Sequence, residues 1–203
     1  MKSFNLSARF ASALLSISLF GAATTHAADA RYELDPEHLT IGFLVSHIGY
    51  ADTLGFFRAA TGSYTFDEAT RTLKDVRVVV QTSSVFTSHE KRDGHLRGKD
   101  FLDASRAPQM IFTAKSAQWS DDKTFVVDGE LELLGKRRPL RLTGTLNKSG
   151  DYPIGGASKP YVMGASLRGT VKRSDWGMNY GVANGWVGDA VELIVEFEAK
   201  RTG

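Results

Sequence analysis

The stretch Val162 to Arg173, V-M-G-A-S-L-R-G-T-V-K-R, decides the fold. Met163, Ala165, Leu167, Gly169 and Val171 share one parity, and Arg173 ends that same row. Side chains of a strand alternate between its two faces, so this row is an apolar face that finishes in a cation. Leu39 to His47 is written the same way, with Leu39, Ile41, Phe43 and Val45 on one parity with His47. Two polar heads therefore stand where two apolar stripes stop. A β-barrel with a dry lumen for a tail and a polar rim for a headgroup has this pattern.

Outward from these two stretches, period-2 alternation recurs in eight strand-like segments bounded by Gly, Asp, Asn or Pro. They are Leu39 to His47, Leu54 to Phe66 (with bends expected at Gly55 or Gly62), Leu73 to Val85, Met110 to Ala117, Phe125 to Leu134, the segment marked by Leu140, Leu142 and Leu146, Val162 to Arg173, and Ala190 to Lys200. Polar residues on one face and apolar ones on the other are the antiparallel signature. Ser88 to Ala104 breaks the pattern, and its charges at helical spacing predict one or two short helices with Ser88 as N-cap and Leu96, Phe101 and Leu102 buried. Asn147 to Pro160 and Ser174 to Val187 read as loops, the second rich in Gly, Asn and aromatics, the kind of segment from which functional rims are built. Closing eight strands on themselves removes exposed edges. The expected fold is all-β, an eight-stranded antiparallel lipocalin-like barrel with a short helical insert between strands three and four. A barrel of that size is either filled by side chains or holds one small ligand, and alternation alone does not decide between them.

The first residues carry Lys2 and Arg9, a short apolar run from Phe10 to Ala23, and Thr25-His26-Ala27, with no acidic residue before Asp29. This is the layout of a cleaved export signal over residues 1–27, too short to span a bilayer, with cleavage expected after Ala27 or, second, after Ala30. Residues 28–203 then form one domain, expected in the periplasm. The chain contains no cysteine, which excludes disulfides and a lipidated N-terminal cysteine. Removing Lys2 and Arg9 lowers the 25 basic residues to 23 against 23 acidic ones, so the formal charge of +2 becomes zero. Nucleic acid needs a concentrated basic surface. The one tight cluster, Lys136-Arg137-Arg138, reads as a solvated hairpin tip.

Motifs for catalysis are missing from the sequence. His89 and His95 do not share a helix face, no Gly-x-Ser-x-Gly elbow is present, and no Gly-rich loop joins a strand to a helix. A binding protein without metal or cofactor is expected. An enzyme would have to use His47 as a general base with Arg173 clamping an anion.

Several segments together resemble the YceI-like family of exported, lipocalin-like polyisoprenoid-binding proteins. They are Tyr32-Glu33-Leu34-Asp35 with His38, Ile41-Gly42-Phe43, Val45-Ser46-His47 and Gly55-Phe56-Phe57, then Asp93-Gly94-His95-Leu96, Asp100-Phe101-Leu102-Asp103 and Pro108 through Ile111-Phe112, then Gly129-Glu130-Leu131 with Gly135. Near the end come Arg173-Ser174-Asp175-Trp176-Gly177 and Val187-Gly188-Asp189. The resemblance spans nearly all of residues 31–200. It implies an extended barrel with an elongated apolar cavity for an isoprenoid or similar tail, mostly in bacterial periplasms, with no catalytic residues established for the family. Tyr152-Pro153-Ile154-Gly155-Gly156 departs from the family's pattern.

The candidate headgroup residues are His47, Arg173, Asp175, Trp176 and Asp189. A guanidinium brought into an apolar interior needs a partner, so Arg173 is expected either to pair with Asp189 or Asp175 or to meet a ligand anion. Trp176 either packs or caps the lumen. The candidate tail contacts are Phe43, Val45, Val78, Phe101, Leu102, Phe112, Leu131, Leu133, Leu142, Leu167, Val195 and Phe197. The expected ligand is an isoprenoid or fatty-chain lipid, such as a polyprenyl phosphate or an isoprenoid quinone, with transient membrane contact and a homodimer as possible associations. The competing reading is a structural or stress-related interaction module whose barrel is filled and takes no lipid.

Overall fold

Alternation along each segment puts its apolar row on one side, and closing the sheet is what buries that row. In the computed structural model, which describes residues 29–154 and 159–202, the strands are β1 (Ala30–His47), β2 (Ala51–Phe57), β3 (Ala60–Asp67), β4 (Thr72–Gln81), β5 (Val85–Phe86), β6 (Gln109–Ala114), β7 (Gln118–Trp119), β8 (Thr124–Leu133), β9 (Lys136–Asp151), β10 (Tyr161–Lys172) and β11 (Val187–Arg201). One helix, α1 (Glu90–Arg97), lies between β5 and β6. Neighbours are antiparallel in the order β11-β10-β9-β8-β6-β4-β3-β1, and β1 pairs back onto β11 with Ile41 opposite Val195, which closes an eight-stranded barrel. The expected export signal lies outside the described residues.

β1 meets β3 along its first half (Tyr32 opposite Tyr64) and β2 along its second (Phe43 opposite Gly55). β2 and β3 are thus one barrel strand, and its interruption falls at Arg58–Ala59 rather than at Gly55 or Gly62. Both glycines answer to close approach instead: a Cβ on Gly55 would lie 2.2 Å from the Phe43 ring, and one on Gly62 2.8 Å from Leu34. β1 starts at Ala30, well before Leu39, because an irregularity between Leu34 and Leu39 breaks the parity that marks a strand in sequence. The same cause hides the end of β9. A bulge at Asn147 shifts the inward row from Leu146 to Ser149, so the strand runs to Asp151 through what reads as a loop.

The third expected strand ends early, at Gln81, and gives way to a 3-10 turn over Thr82–Ser84 before β5. The cap of α1 is His89 rather than Ser88, with its Nδ1 accepting from the Arg92 amide at 3.3 Å. Lys136-Arg137-Arg138 belong to β9, and the hairpin tip is Leu134-Gly135, both with positive φ (51° and 71°), as a tight two-residue turn requires. The outer wall is polar, with ion pairs such as Arg141–Asp128 at 2.7 Å. A membrane-spanning barrel carries an apolar outer band instead. No helix among the described residues is long and apolar enough to cross a membrane.

Candidate ligand-binding cavity

The inward rows do not meet at the barrel axis. They enclose a cavity of about 570 Å³, within the size range of small-molecule sites. All twelve expected tail positions stand on its wall: Phe43, Val45, Val78, Phe101, Leu102, Phe112, Leu131, Leu133, Leu142, Leu167, Val195 and Phe197. The rings in the wall would fill the lumen if they pointed inward, and glycines prevent it. A Cβ on Gly55 would strike Phe43, one on Gly129 would lie 2.5 Å from Phe112, and one on Gly144 would lie 2.4 Å from Phe125. Each phenyl ring thus rests flat on a neighbouring strand where a side chain is missing, and the bore stays open. A barrel filled by its own side chains is not what these residues build.

One end is shut. Tyr32, fully buried, stacks on Tyr64 with ring centroids 5.2 Å apart and planes 7° from parallel, and Phe66, Met163 and Ala199 complete the floor. Glu68, in the turn after β3, accepts hydrogen bonds from the hydroxyls of Tyr32, Ser149 and Tyr161, each at 2.9 Å. Burial, followed by the bond to Glu68, pushes the Tyr32 phenol far above its usual range, so it remains a donor.

The other end is open. The cavity-lining residues that are exposed to solvent, His47, Ile48, Arg92, His95, Tyr180 and Trp186, all lie there. The insert around α1 reaches across it because β4 ends and β6 begins on that side. Thr87 fixes Arg92, whose Nε donates to its hydroxyl at 2.7 Å and whose Nη2 donates to its carbonyl at 2.6 Å. Asp93, buried, accepts from the Thr87 amide and hydroxyl. His95 lies 2.8 Å from Asp100 and meets the rings of Phe101 (5.0 Å) and Tyr180 (4.9 Å) edge to face.

Of the expected headgroup residues, His47 and Arg173 line the cavity; Asp175, Trp176 and Asp189 do not. Asp175 is exposed in the 3-10 turn Arg173–Trp176. Trp176 is buried beneath the hairpin, with its indole donating to the Lys136 carbonyl at 3.0 Å, because an indole N–H taken out of water needs an acceptor. Asp189 caps the turn by accepting from the amide and hydroxyl of Ser174 at 2.9 and 2.8 Å. Neither carboxylate forms an ion pair with Arg173.

Arg173 is 3% exposed and finds main-chain acceptors instead. Its Nε donates to Gly188 O (2.7 Å), Nη1 to Met178 O (2.6 Å), and Nη2 to Tyr180 O (2.8 Å) and Val187 O (2.8 Å). Its guanidinium also lies 5.6 Å from the centre of the Phe101 ring. Burial lowers its pKa, and the charge of Asp189 opposes that shift. The cation ties the loop before β11 into shape, and the donors an anion clamp would need are engaged. Sequence reasoning missed Arg92, His95, Tyr180 and Trp186. The only signal was that their segments, the helical insert and the Gly- and aromatic-rich loop, read as rim material.

A hollow up-and-down antiparallel barrel, apolar inside, shut at one end and polar at the mouth of the other, defines a class of protein that encloses one elongated apolar ligand. The chain belongs to the family of the YceI-like domain, whose pattern matches residues 32–199. It is 34% identical over 183 residues to a UPF0312 protein of Yersinia enterocolitica, across 90% of this chain and 92% of that one. A YceI protein of Campylobacter jejuni shares the fold at TM-score 0.69 with 26% identity, over 78% of this chain and 90% of that chain. A polyisoprenoid binding domain from Saccharophagus degradans, implicated in plant cell wall breakdown, superposes at TM-score 0.61 with 13% identity, over 84% of this chain and 98% of that one.

Proposed function

We propose that the protein is a periplasmic carrier that sequesters an isoprenoid or similar amphiphilic lipid, a polyprenyl phosphate or an isoprenoid quinone, in its lumen. The observation that carries this reading is the open apolar bore with a single exposed end. Between Val187 and Phe197 of β11 the lining spans ten residue steps, which at about 3.3 Å per residue and a tilt of about 40° is roughly 25 Å along the axis. That is most of the ~30 Å hydrocarbon thickness of a bilayer, a length that suits a long chain. Each methylene removed from water contributes about 0.8 kcal/mol, so a dozen buried carbons supply roughly 10 kcal/mol before the costs of association. His47 and Arg92 would meet the headgroup. Arg92 has Nη1 without a partner among the described residues, whereas Arg173 supports the loop behind it. The name of the Saccharophagus domain supports an isoprenoid as the chain.

The reading is one of binding rather than turnover, since the guanidinium that would clamp an anion beside His47 is occupied by carbonyls. Export rests on the leader-like first 27 residues. Cleavage after Ala27 keeps Asp29, which accepts from Lys74 at 2.8 Å, and the buried Ala30; cleavage after Ala30 removes both.

The test is organic extraction and mass spectrometry of the mature protein purified without detergent from periplasm, beside Ala165→Phe, which fills the lumen from a position that is 3% exposed. A stoichiometric isoprenoid in the wild type and its loss in the variant is the expected result. No lipid in the wild type and no uptake of added isoprenoids overturns the proposal. Arg92→Gln weakens retention of a phosphate headgroup and leaves that of a quinone unchanged, which separates the two ligands.

A further inference from the structure

Among the described residues, six large apolar side chains are exposed: Ile48 (50%), Tyr50 (91%), Leu54 (47%), Ile154, Tyr180 (40%) and Trp186 (51%). All but Ile154 gather at the open end. Ile48 and Tyr50 form the tip of the β1–β2 hairpin, and Leu54 points outward just below it. Tyr180 and Trp186 come from the loop before β11, which is joined to the hairpin by a hydrogen bond from the Ile48 amide to the Trp186 carbonyl at 3.0 Å. Ile48, Tyr180 and Trp186 also line the cavity, so the apolar wall of the lumen runs without a break onto the outer rim. The wall below bears ion pairs such as Arg141–Asp128, and of the six exposed apolar side chains only Ile154 stands apart from this rim.

We propose that this rim docks against the surface of a lipid bilayer and delivers or receives the tail there; the proposal rests on the carrier reading above. Tyrosine and tryptophan pair an apolar ring with a polar tip and belong to the junction of hydrocarbon and water. A tail that leaves a rim seated in that junction passes from one apolar environment to another and is never fully hydrated. A protein partner would need no such continuity with the lumen. Of the charges nearby, His95 faces Asp100, while Arg92, held by Thr87, and Arg58, stacked 5.1 Å from the centre of the Phe86 ring, keep their positive charge. The exposed rings and aliphatic side chains carry the contact, so docking persists at high salt, and these cations add attraction to anionic headgroups only at low salt.

The experiment uses the mature protein with vesicles of phosphatidylethanolamine and phosphatidylglycerol that contain no isoprenoid, with and without brominated acyl chains. Trp186 is exposed at the rim, Trp176 is buried, and Trp119 lies at the shut end, so bromine quenches Trp186 alone. Co-sedimentation together with partial quenching, both persisting at high salt, is expected. Tyr50→Ser combined with Leu54→Ser, neither of which lines the cavity, lowers vesicle affinity roughly tenfold while the extracted lipid remains. Absent quenching, binding abolished by salt, or unchanged affinity in the double variant overturns the rim's role. So does a photo-cross-linker at position 50 that captures a periplasmic protein and no lipid. Vesicle docking by a protein that neither contains nor takes up lipid overturns the carrier reading and upholds the rim, and lipid content without docking does the reverse.

Discussion

The two ends of the barrel are each organised by one charged side chain, and they use it in opposite ways. At the shut end Glu68 gathers hydroxyls from β1, β9 and β10, so one carboxylate pins three strands across the opening. At the open end Arg173, at the close of β10, gathers four carbonyls from residues 178 to 188, so one guanidinium folds a loop onto itself and leaves the strands apart. The charge in each case has taken up the hydrogen-bonding capacity of buried groups that would otherwise be unsatisfied. What differs is whether its partners lie on different strands or on one loop, and that decides whether the bore is plugged or accessible.

The comparison breaks most sharply at Arg173. Arg173→Ala leaves four carbonyls without their donor and is expected to cost roughly 3–5 kcal/mol in urea unfolding, with the loop becoming protease-sensitive before the barrel melts. A loss under 1 kcal/mol would show that the loop holds its shape by other means. Glu68→Ala frees three hydroxyls and is expected to cost roughly 2 kcal/mol, with faster hydrogen exchange confined to the ends of β1, β9 and β10.

Smaller effects separate the ends by what the bore admits. Gly55→Ala pushes the Phe43 ring off the wall near the mouth, and Gly144→Ala pushes the Phe125 ring off nearer the floor. Each is expected to cost roughly 1 kcal/mol. The first slows lipid uptake; the second leaves the uptake rate and shortens the longest isoprenoid retained, as read by competition between chain lengths.

The smallest effect belongs to the irregularity in β1. Burial raises the pKa of Asp35, but hydrogen bonds from His38 (2.8 Å) and Lys200 (2.9 Å) outweigh it and bring the carboxyl down to about 2. Its contribution to stability is present above the usual carboxylate value and is lost as pH falls toward about 2. The hydrogen bond to Asp35 raises the pKa of His38, so its contribution is complete below about pH 6.5 and fades as pH rises through the raised value. Thermal midpoints measured against pH are expected to be flat between these limits and to fall on both sides. The alkaline decline should be missing in His38→Gln.

Much of the barrel was legible because a pleated strand imposes period two, and that period depends only on local geometry. Strand boundaries were misread where one strand of the ladder carries an odd number of extra residues, three between Leu34 and Leu39 and one at Asn147, since such an irregularity reverses parity and makes a strand look like a loop. The twelve expected wall positions do line the cavity, whereas most of its mouth was not legible. Asp175 and Trp176 follow Arg173 directly in sequence yet turn away from the cavity, and Asp189, at the start of β11, faces the Ser174 turn instead. Arg92, His95, Tyr180 and Trp186 come from segments with no period, where the direction of a side chain depends on contacts made far along the chain.

By itself, then, the sequence determined the all-β class, the inward rows and the resemblance to the YceI-like family, because alternation and local motifs are carried by neighbouring residues. Only the tertiary structure decided that the lumen is hollow, that Arg173 binds carbonyls rather than a carboxylate, and that one end is shut by Glu68 while the other stays open. The physical reason is shared by all three. Ring against glycine, guanidinium against carbonyl, and carboxylate against hydroxyl are contacts between groups on different strands or loops, and main-chain acceptors are the same whatever residue bears them.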